Sequence, residues 1–245
     1  MRRLIVLLVP LAVLVGIFVV VDRVAVGVAE GRIAAEIQRK QELGAPPVVQ
    51  VHGFPFLTQV VRGRYKQVDA DLREPDVGDD LAIDRLQVRL SGVRAKLAPL
   101  VAGDVSSIPV DSATAVATVS FRALNAAARE NLPKGRSTVK FGPGPDGQLA
   151  VSGTYATSAF TARLDTRARL VARRGRLVVE LPAGALDDIP QAFRPQVESL
   201  LATASELPEL PLGFRATDVT VGPAAISVRA RSTTLDLSRS ADLGR

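Results

Sequence analysis

The chain has 245 residues, of which 47% are hydrophobic and 23% charged, a balance typical of a folded globular protein rather than a disordered one. The net charge of +6 is small and the basic residues are interspersed with acidic ones, so nucleic acid is not an expected partner. Cysteine is absent, which excludes disulfides, thiolate catalysis and cysteine–zinc sites. The single histidine, His52, would have to serve any histidine-based metal site or serine–histidine triad.

Residues 4–21 form a run of eighteen residues without a charge. As a helix this run is about 27 Å long, close to the roughly 30 Å of bilayer hydrocarbon. Arg2 and Arg3 precede it, and such a positive flank places the N-terminus in the cytoplasm and the rest of the chain outside. The run is apolar on all faces, which disfavours a helix buried in a soluble core.

Two interpretations of this N-terminal segment stay open. A signal anchor would make the chain a single-pass plasma-membrane protein. A cleaved signal peptide would release a secreted or periplasmic protein, and Gly27 and Ala29 supply small residues for a cut before Glu30. The length of the apolar run favours the anchor. The expected organisation is an anchor at 1–22, an amphipathic helix and linker at 23–47, an extracytoplasmic domain at 48–238 and a frayed tail at 239–245.

The exported part begins with helical spacing over residues 22–41, which predicts that the anchor helix continues. Residues 48–72 are predicted as strands, including the apolar, proline-interrupted segment 53–57. Alternation predicts a strand over 81–93 with a break near Asp84, and a weaker strand over 113–119. Ser120 is placed to cap a helix that ends at Asn131.

The C-terminal half reads mainly as antiparallel strands. The expected elements are a hairpin of 137–141 with 148–155, a long strand at 161–172, a strand at 177–181, a helix at 191–205 and a closing hairpin of 214–221 with 225–237. The fold class is α+β, with long antiparallel strands and apolar-faced helices packed on one side.

Candidate catalytic groups are sparse. His52 could pair with Asp69, Asp71 or Asp84, but no nucleophile elbow, histidine pair or metal-ligand spacing accompanies it. We therefore expect a structural or surface histidine, no enzyme activity, no metal and no cofactor.

Two other features have open interpretations. Arg163, Arg167 and Arg169 alternate along one face of a predicted strand, where they form either a solvated outer face or a contact for anionic lipid headgroups. The four bulky residues at 54–57 form either a packed corner or the mouth of an apolar pocket, because their proline forbids a regular central strand.

The sequence at residues 51–59 is Val-His-Gly-Phe-Pro-Phe-Leu-Thr-Gln, and Gly63, Arg64 and Tyr65 follow it. With the N-terminal anchor, the Leu124-Asn125 pair in a central helix and the Leu-Pro-Leu-Gly-Phe segment at 210–214, this motif resembles the LmeA-like family of actinobacterial envelope proteins. The resemblance covers the whole layout of the chain.

The resemblance implies an extracytoplasmic lipid-binding protein that resembles the tubular lipid-binding proteins, in which a curved antiparallel sheet wraps a long helix and encloses an apolar groove. A characterised member of the family binds phosphoinositide-type phospholipid and supports mannan elongation on lipid-linked envelope glycans. The implied partners are an anionic or phosphoinositide-type phospholipid, the membrane and an envelope glycosyltransferase. The candidate acyl-chain contacts are Val51, Phe54, Phe56, Leu57, Tyr65, Leu124, Val197, Leu200, Leu201 and Phe214, and the candidate headgroup contacts are Arg163, Arg167 and Arg169.

Two alternatives remain beside lipid binding. The domain could be a scaffold that binds an envelope enzyme through its sheet or through residues 54–57, with no lipid ligand. It could also be an envelope hydrolase, which would require a pocket containing His52 and a carboxylate within hydrogen-bond reach.

Overall fold

The computed structural model describes residues 2–40, 42–75, 83–95, 109–131, 138–156, 161–182, 214–233 and 235–236. The protein is α+β, as the sequence predicts, with an N-terminal apolar helix and antiparallel sheets. The predicted helix at 191–205, which holds Val197, Leu200 and Leu201, lies outside the described residues. The proposed lipid contacts of those three side chains therefore stay predictions.

Helices and strands follow one another along the chain as follows. Helix α1 spans Arg2–Lys40, β1 Val48–His52, α2 Phe56–Arg62, β2 Arg64–Arg73, β3 Arg85–Arg94, β4 Pro109–Val110, β5 Ser112–Ser120 and α3 Phe121–Asn131. Strand β6 spans Thr138–Pro143, β7 Leu149–Ala156, β8 Thr161–Arg173, β9 Arg176–Glu180, β10 Arg215–Val221, β11 Ala225–Ser232 and β12 Leu235–Asp236. One sheet has the strand order β1-β2-β3-β5-β11-β10, a second has the order β6-β7-β8-β9, and β12 pairs with β4.

Helix α1 continues from the apolar run through the amphipathic segment, as predicted. Arg39 and Lys40 lie in its last turn, where positive charge is favourable beside the free carbonyls of a helix C-terminus. Just beyond it, the Leu43 N–H donates to the carbonyl oxygen of Gln38 at 3.0 Å and closes the helix end.

Helix α2 replaces part of the strand predicted over residues 48–72, so the prediction was wrong for residues 56–62. Pro55 stands at the N-cap with extended backbone angles, and Gly63 ends the helix in the left-handed region at φ 61°. Proline at the start and glycine just past the end are the usual signals of a short helix. The alternation of apolar and polar residues on either side of this segment favoured a strand over these helix signals.

The hairpins of the C-terminal half form as predicted. Strands β6 and β7 pair in antiparallel register around a short 3-10 turn at Pro145–Gly147, and β8 pairs with both β7 and β9. Strands β10 and β11 form the closing hairpin, with an irregularity between Ala216 and Asp218. Strand β3 starts at Arg85, and residues 81 and 82 of the strand predicted over 81–93 lie outside the described residues.

Helix α3 begins where the sequence predicts. The Ser120 hydroxyl accepts the N–H of Ala123 at 3.1 Å, which is the geometry of an N-cap. Asp84 in turn accepts the N–H of Ser120 at 2.6 Å and its hydroxyl at 2.9 Å. The cap is therefore held in place by a carboxylate from the residue just before β3.

The chain divides into two compact units. The first comprises residues 1–71, 89–113 and 233–245, and the second comprises 72–88 and 114–232. The core of the second unit is a cluster of the buried side chains Phe121, Leu149, Ala168 and Ile226, from α3, β7, β8 and β11. The buried residues of the first unit include Ala34, Val49, Phe56 and Tyr65.

Candidate functional site

Two carboxylates of α1 bind the segment that carries the sequence motif. The Asp22 carboxylate is fully buried, and its Oδ1 accepts the N–H of Leu57 in the first turn of α2 at 2.8 Å. Two turns further along, Glu30 Oε1 accepts the N–H of Val51 in β1 at 2.7 Å. Since Pro55 offers no side-chain cap, Asp22 supplies the capping carboxylate that α2 lacks in its own sequence.

The four bulky residues of the motif have different environments. Phe56 is buried, and its ring centroid lies 6.2 Å from the ring centroid of Tyr65. Tyr65 is also buried, and this burial raises the pKa of its hydroxyl. Phe54 is exposed, and the Arg23 guanidinium lies 5.3 Å from its ring centroid, within the range of a cation–π contact. Leu57 is half-buried. The motif is therefore a packed corner on one side and an exposed apolar surface on the other.

Gln59 holds the interior of this corner. Its Oε1 accepts the N–H of Lys66 at 2.9 Å, and its buried Nε2 has no hydrogen-bond partner among the described residues. A Cβ at Gly53 would lie 2.8 Å from that Nε2, and Gly53 has a φ of 109°. The glycine of the motif is thus required both for its backbone angle and for the room it leaves to Gln59.

His52 lies in a polar cluster on β1 and its neighbours. Its Nε2 is 3.2 Å from Asp69 Oδ2, so the carboxylate needed for a hydrolase is within reach. Partial burial raises the pKa of Asp69, but hydrogen bonds from Arg89 and Gln67 and the positive charge of Arg89 outweigh it and hold that pKa below its ordinary value. Because Arg89 and Gln67 already occupy the carboxylate, the cluster has the contacts of a structural ion pair.

The second unit contains a largely aliphatic core cluster whose outer members are only partly buried, and we call these outer members its aliphatic face. Around its four buried side chains pack nine partly buried hydrophobic ones, so this apolar layer is only incompletely removed from solvent. The nine are Leu124, Phe141, Val151, Leu170, Val179, Leu181, Val219, Val221 and Val228. This face contains the candidate contact Leu124, whereas the candidate Phe214 is half-buried just before β10.

The predicted row of arginines is exposed on β8. Arg163, Arg167 and Arg169 alternate with inward positions such as Ala168, which is 1% exposed. Because successive side chains of a strand point to opposite faces, these arginines do not share a face with the apolar layer. The candidate headgroup contacts and the buried Ala168 therefore lie on opposite faces of β8.

The candidate residues therefore separate into two groups. Val51, Phe54, Phe56, Leu57 and Tyr65 belong to the first unit, and Leu124, Phe214, Arg163, Arg167 and Arg169 belong to the second. The sequence analysis did not identify the polar residues that hold the first group in position.

The missed residues carry only weak signals in the sequence. Asp22, Glu30 and Gln59 place the motif, yet each is a polar residue inside a helix. Asp22 could have been noticed as the first charge after the apolar run. The sequence could not have shown which backbone amide it binds, because Leu57 lies 35 residues further along.

Within the described residues, one helix is long and apolar enough to cross a membrane, and it lies in Val9–Lys40. A signal anchor and a signal peptide both meet this criterion. A helix buried in a soluble core is disfavoured, because only 11% of the most apolar stretch of this helix is buried. In the same part of the chain, no three histidine, aspartate or glutamate side chains come together as a metal site would require.

An α+β domain with a partly exposed aliphatic face, preceded by a long apolar helix, has the features of a lipid-binding protein that carries an anchor or signal sequence. The chain belongs to the LmeA-like phospholipid-binding family, whose sequence model matches residues 20–231. The match confirms the resemblance found in the motif, and it includes both Asp22 and Glu30. Comparison with curated proteins and with solved structures gives no match.

Proposed function

We propose that the protein is a membrane-anchored, extracytoplasmic phospholipid-binding protein without enzyme activity, which serves the assembly of envelope glycolipids. The observation that carries this proposal is the partly exposed aliphatic face of the second unit, in a chain of a phospholipid-binding family. The face is lined by Val, Leu and Phe side chains, which suit the packing of acyl chains.

The energetics favour exchange of lipid with a bilayer. Each buried methylene contributes about 0.8 kcal/mol relative to water, so about ten buried methylenes would supply about 8 kcal/mol before the cost of association is subtracted. Relative to a bilayer the same transfer is nearly neutral, because lipid tails are as apolar as the aliphatic face. Selectivity for an anionic or phosphoinositide-type lipid would therefore have to come from polar contacts with its headgroup.

The anchor is proposed to remain uncleaved, with the N-terminus in the cytoplasm. A cut before Glu30 would remove Asp22 and Arg23, leaving the Leu57 N–H without its carboxylate and Phe54 without its cation. The intact mass of the protein extracted from its native membrane tests this point. The proposal requires the mass of the full chain, and a product that begins at Glu30 would overturn it.

Lipid binding is tested with a phospholipid that carries a photoreactive diazirine in its acyl chain. The full chain is reconstituted with this lipid, irradiated and digested, and crosslinked peptides are identified by mass spectrometry. Crosslinks are expected on the aliphatic face of the second unit, from β7, β8, β10 and β11. A chain that copurifies with no lipid and acquires no crosslink in this unit would overturn the proposal and favour a scaffold.

Two adjacent residues of β7 give a matched pair of variants. Val151 packs against the apolar cluster, whereas Ser152 is exposed on the other face of the same strand. Val151→Asn should reduce crosslinking because it places an amide among the acyl contacts, and Ser152→Asn should leave it unchanged. The envelope role is tested separately, by whether a strain that lacks the protein changes its lipoglycans and whether the full chain restores them.

A further inference from the structure

In the first unit, four exposed residues lie in α2 or directly beside it, and we call them the α2 corner: Phe54, Val61, Arg62 and Arg64. Val61 is 87% exposed and Phe54 is 54% exposed, although both are apolar. Both arginines are exposed, and from residue 54 to residue 66 the chain carries three basic side chains and no acidic one. Exposed apolar side chains beside exposed arginines match an anionic bilayer interface better than they match water.

The contact of Asp22 with Leu57 determines the depth of this corner. Asp22 directly follows the apolar run, so α2 starts at the level where the anchor leaves the hydrocarbon. Helix α2 has seven residues and is about 10 Å long, whereas the headgroup layer on one side of a bilayer is about 5–8 Å thick. Every residue of α2 therefore lies within or next to the headgroup layer.

The side of α1 that faces away from Asp22 stays apolar and exposed beyond the apolar run. Val24 and Val28 come after Asp22 and are 61% and 52% exposed. The exposed apolar surface of the anchor thus runs on for almost two turns past Asp22, while the Asp22 carboxylate itself is buried and hydrogen-bonded. Burial of that charge is what allows this part of the chain to sit close to lipid.

We propose that the α2 corner lies in the headgroup layer of the same bilayer that holds α1, with Phe54 and Val61 against the upper acyl chains and Arg62 and Arg64 on anionic lipid phosphates. The corner then holds the first unit on the membrane surface at a second point besides the anchor. This inference rests on the retained anchor of the proposed function.

The absence of cysteine in the chain makes the test direct. Val61→Cys and Ala35→Cys are each labelled with an environment-sensitive fluorophore in the full chain and reconstituted in vesicles of phosphatidylglycerol and phosphatidylcholine. Ala35 is an exposed position on α1 in the same unit, about 20 Å beyond Asp22 along the helix. Quenchers attached to lipid acyl chains report contact with the bilayer, and aqueous iodide reports contact with solvent.

The label at position 61 should show blue-shifted emission, quenching by the lipid-attached quencher and protection from iodide, and the label at 35 should show none of these. Adding Arg62→Gln and Arg64→Gln should reduce the lipid quenching at position 61. Equal iodide quenching at the two positions would overturn the proposal. Lipid quenching at position 61 that is unchanged by the two arginine substitutions would also overturn it. The intact mass shows that the anchor is present in every sample. A corner that does not contact the bilayer is therefore distinguished from an anchor that has been cleaved.

Discussion

The carboxylate of Asp22 and the backbone N–H of Leu57 are joined by a hydrogen bond of 2.8 Å between the end of the apolar run and the first turn of α2. Through this contact the apolar helix α1 packs as part of the first unit rather than standing apart from it. It caps a helix whose N-cap residue, Pro55, makes no side-chain cap hydrogen bond. It also places the family motif directly beside the apolar helix.

We predict that Asp22→Ala loosens α2 more than Asp22→Asn. Alanine leaves the partly buried N–H of Leu57 without an acceptor, which costs about 1–3 kcal/mol, whereas the asparagine oxygen can still accept it. Hydrogen–deuterium exchange of residues 56–62 in the reconstituted chain measures the difference. Equal protection in the alanine variant and the unchanged protein would contradict a capping role for Asp22.

Gly53→Ala should destabilise the motif corner. The new methyl group would lie 2.8 Å from Gln59 Nε2, and a φ of 109° strains any residue with a Cβ, so a loss of about 1–3 kcal/mol is expected. Gly44→Ala is the matched control, since among the described residues no atom lies within 4 Å of its added Cβ. Thermal unfolding of the two variants in the same detergent compares them, and a similar midpoint for both would argue against the Gly53–Gln59 contact.

The Asp69 cluster predicts a dependence of stability on acid pH. Because its partners lower the pKa of Asp69 in the folded protein, the ionised carboxylate stabilises the fold above its ordinary pKa of 3.8, and this contribution is lost as pH falls through the lower folded value. Asp69→Asn removes the titrating group. The difference in unfolding midpoint between the unchanged protein and Asp69→Asn should be largest near neutral pH and shrink below pH 3.8. A constant difference across this range would contradict the linkage.

Asn125 should be essential for the position of α3. Its Nδ2 donates to the Phe141 carbonyl oxygen at 2.9 Å, and its Oδ1 accepts the Phe141 N–H at 2.7 Å, so one amide satisfies both backbone groups of a residue in β6. Asn125→Ala removes both bonds and should cost about 1–3 kcal/mol of unfolding free energy. Arg129→Ala, on the exposed side of the same helix, should change it by less than about 0.5 kcal/mol. Denaturant titration of both variants provides the measurement.

Much of the second unit could be predicted because its signals are local. Alternation along β8 placed Arg163, Arg167 and Arg169 outward, and Ser120 showed where α3 begins. Helix α2 was missed because it is a single short segment between two alternating strands, so the pattern on either side outweighed its own proline and glycine signals. The partners of Asp22, Glu30 and Asn125 were not predictable, since each binds a backbone group and every residue has the same backbone.

The sequence by itself determined the class of the protein: a long apolar N-terminal helix, an α+β domain and membership of a family, all of which depend on periodicity and on short runs of residue type. Only the tertiary structure decided what the motif does. It showed that Phe56 and Tyr65 pack inside while Phe54 and Val61 stay exposed, and that Asp22 ties this corner to the apolar helix. Such contacts join residues far apart in the chain, and their geometry is set by the packing of whole elements rather than by the order of the residues.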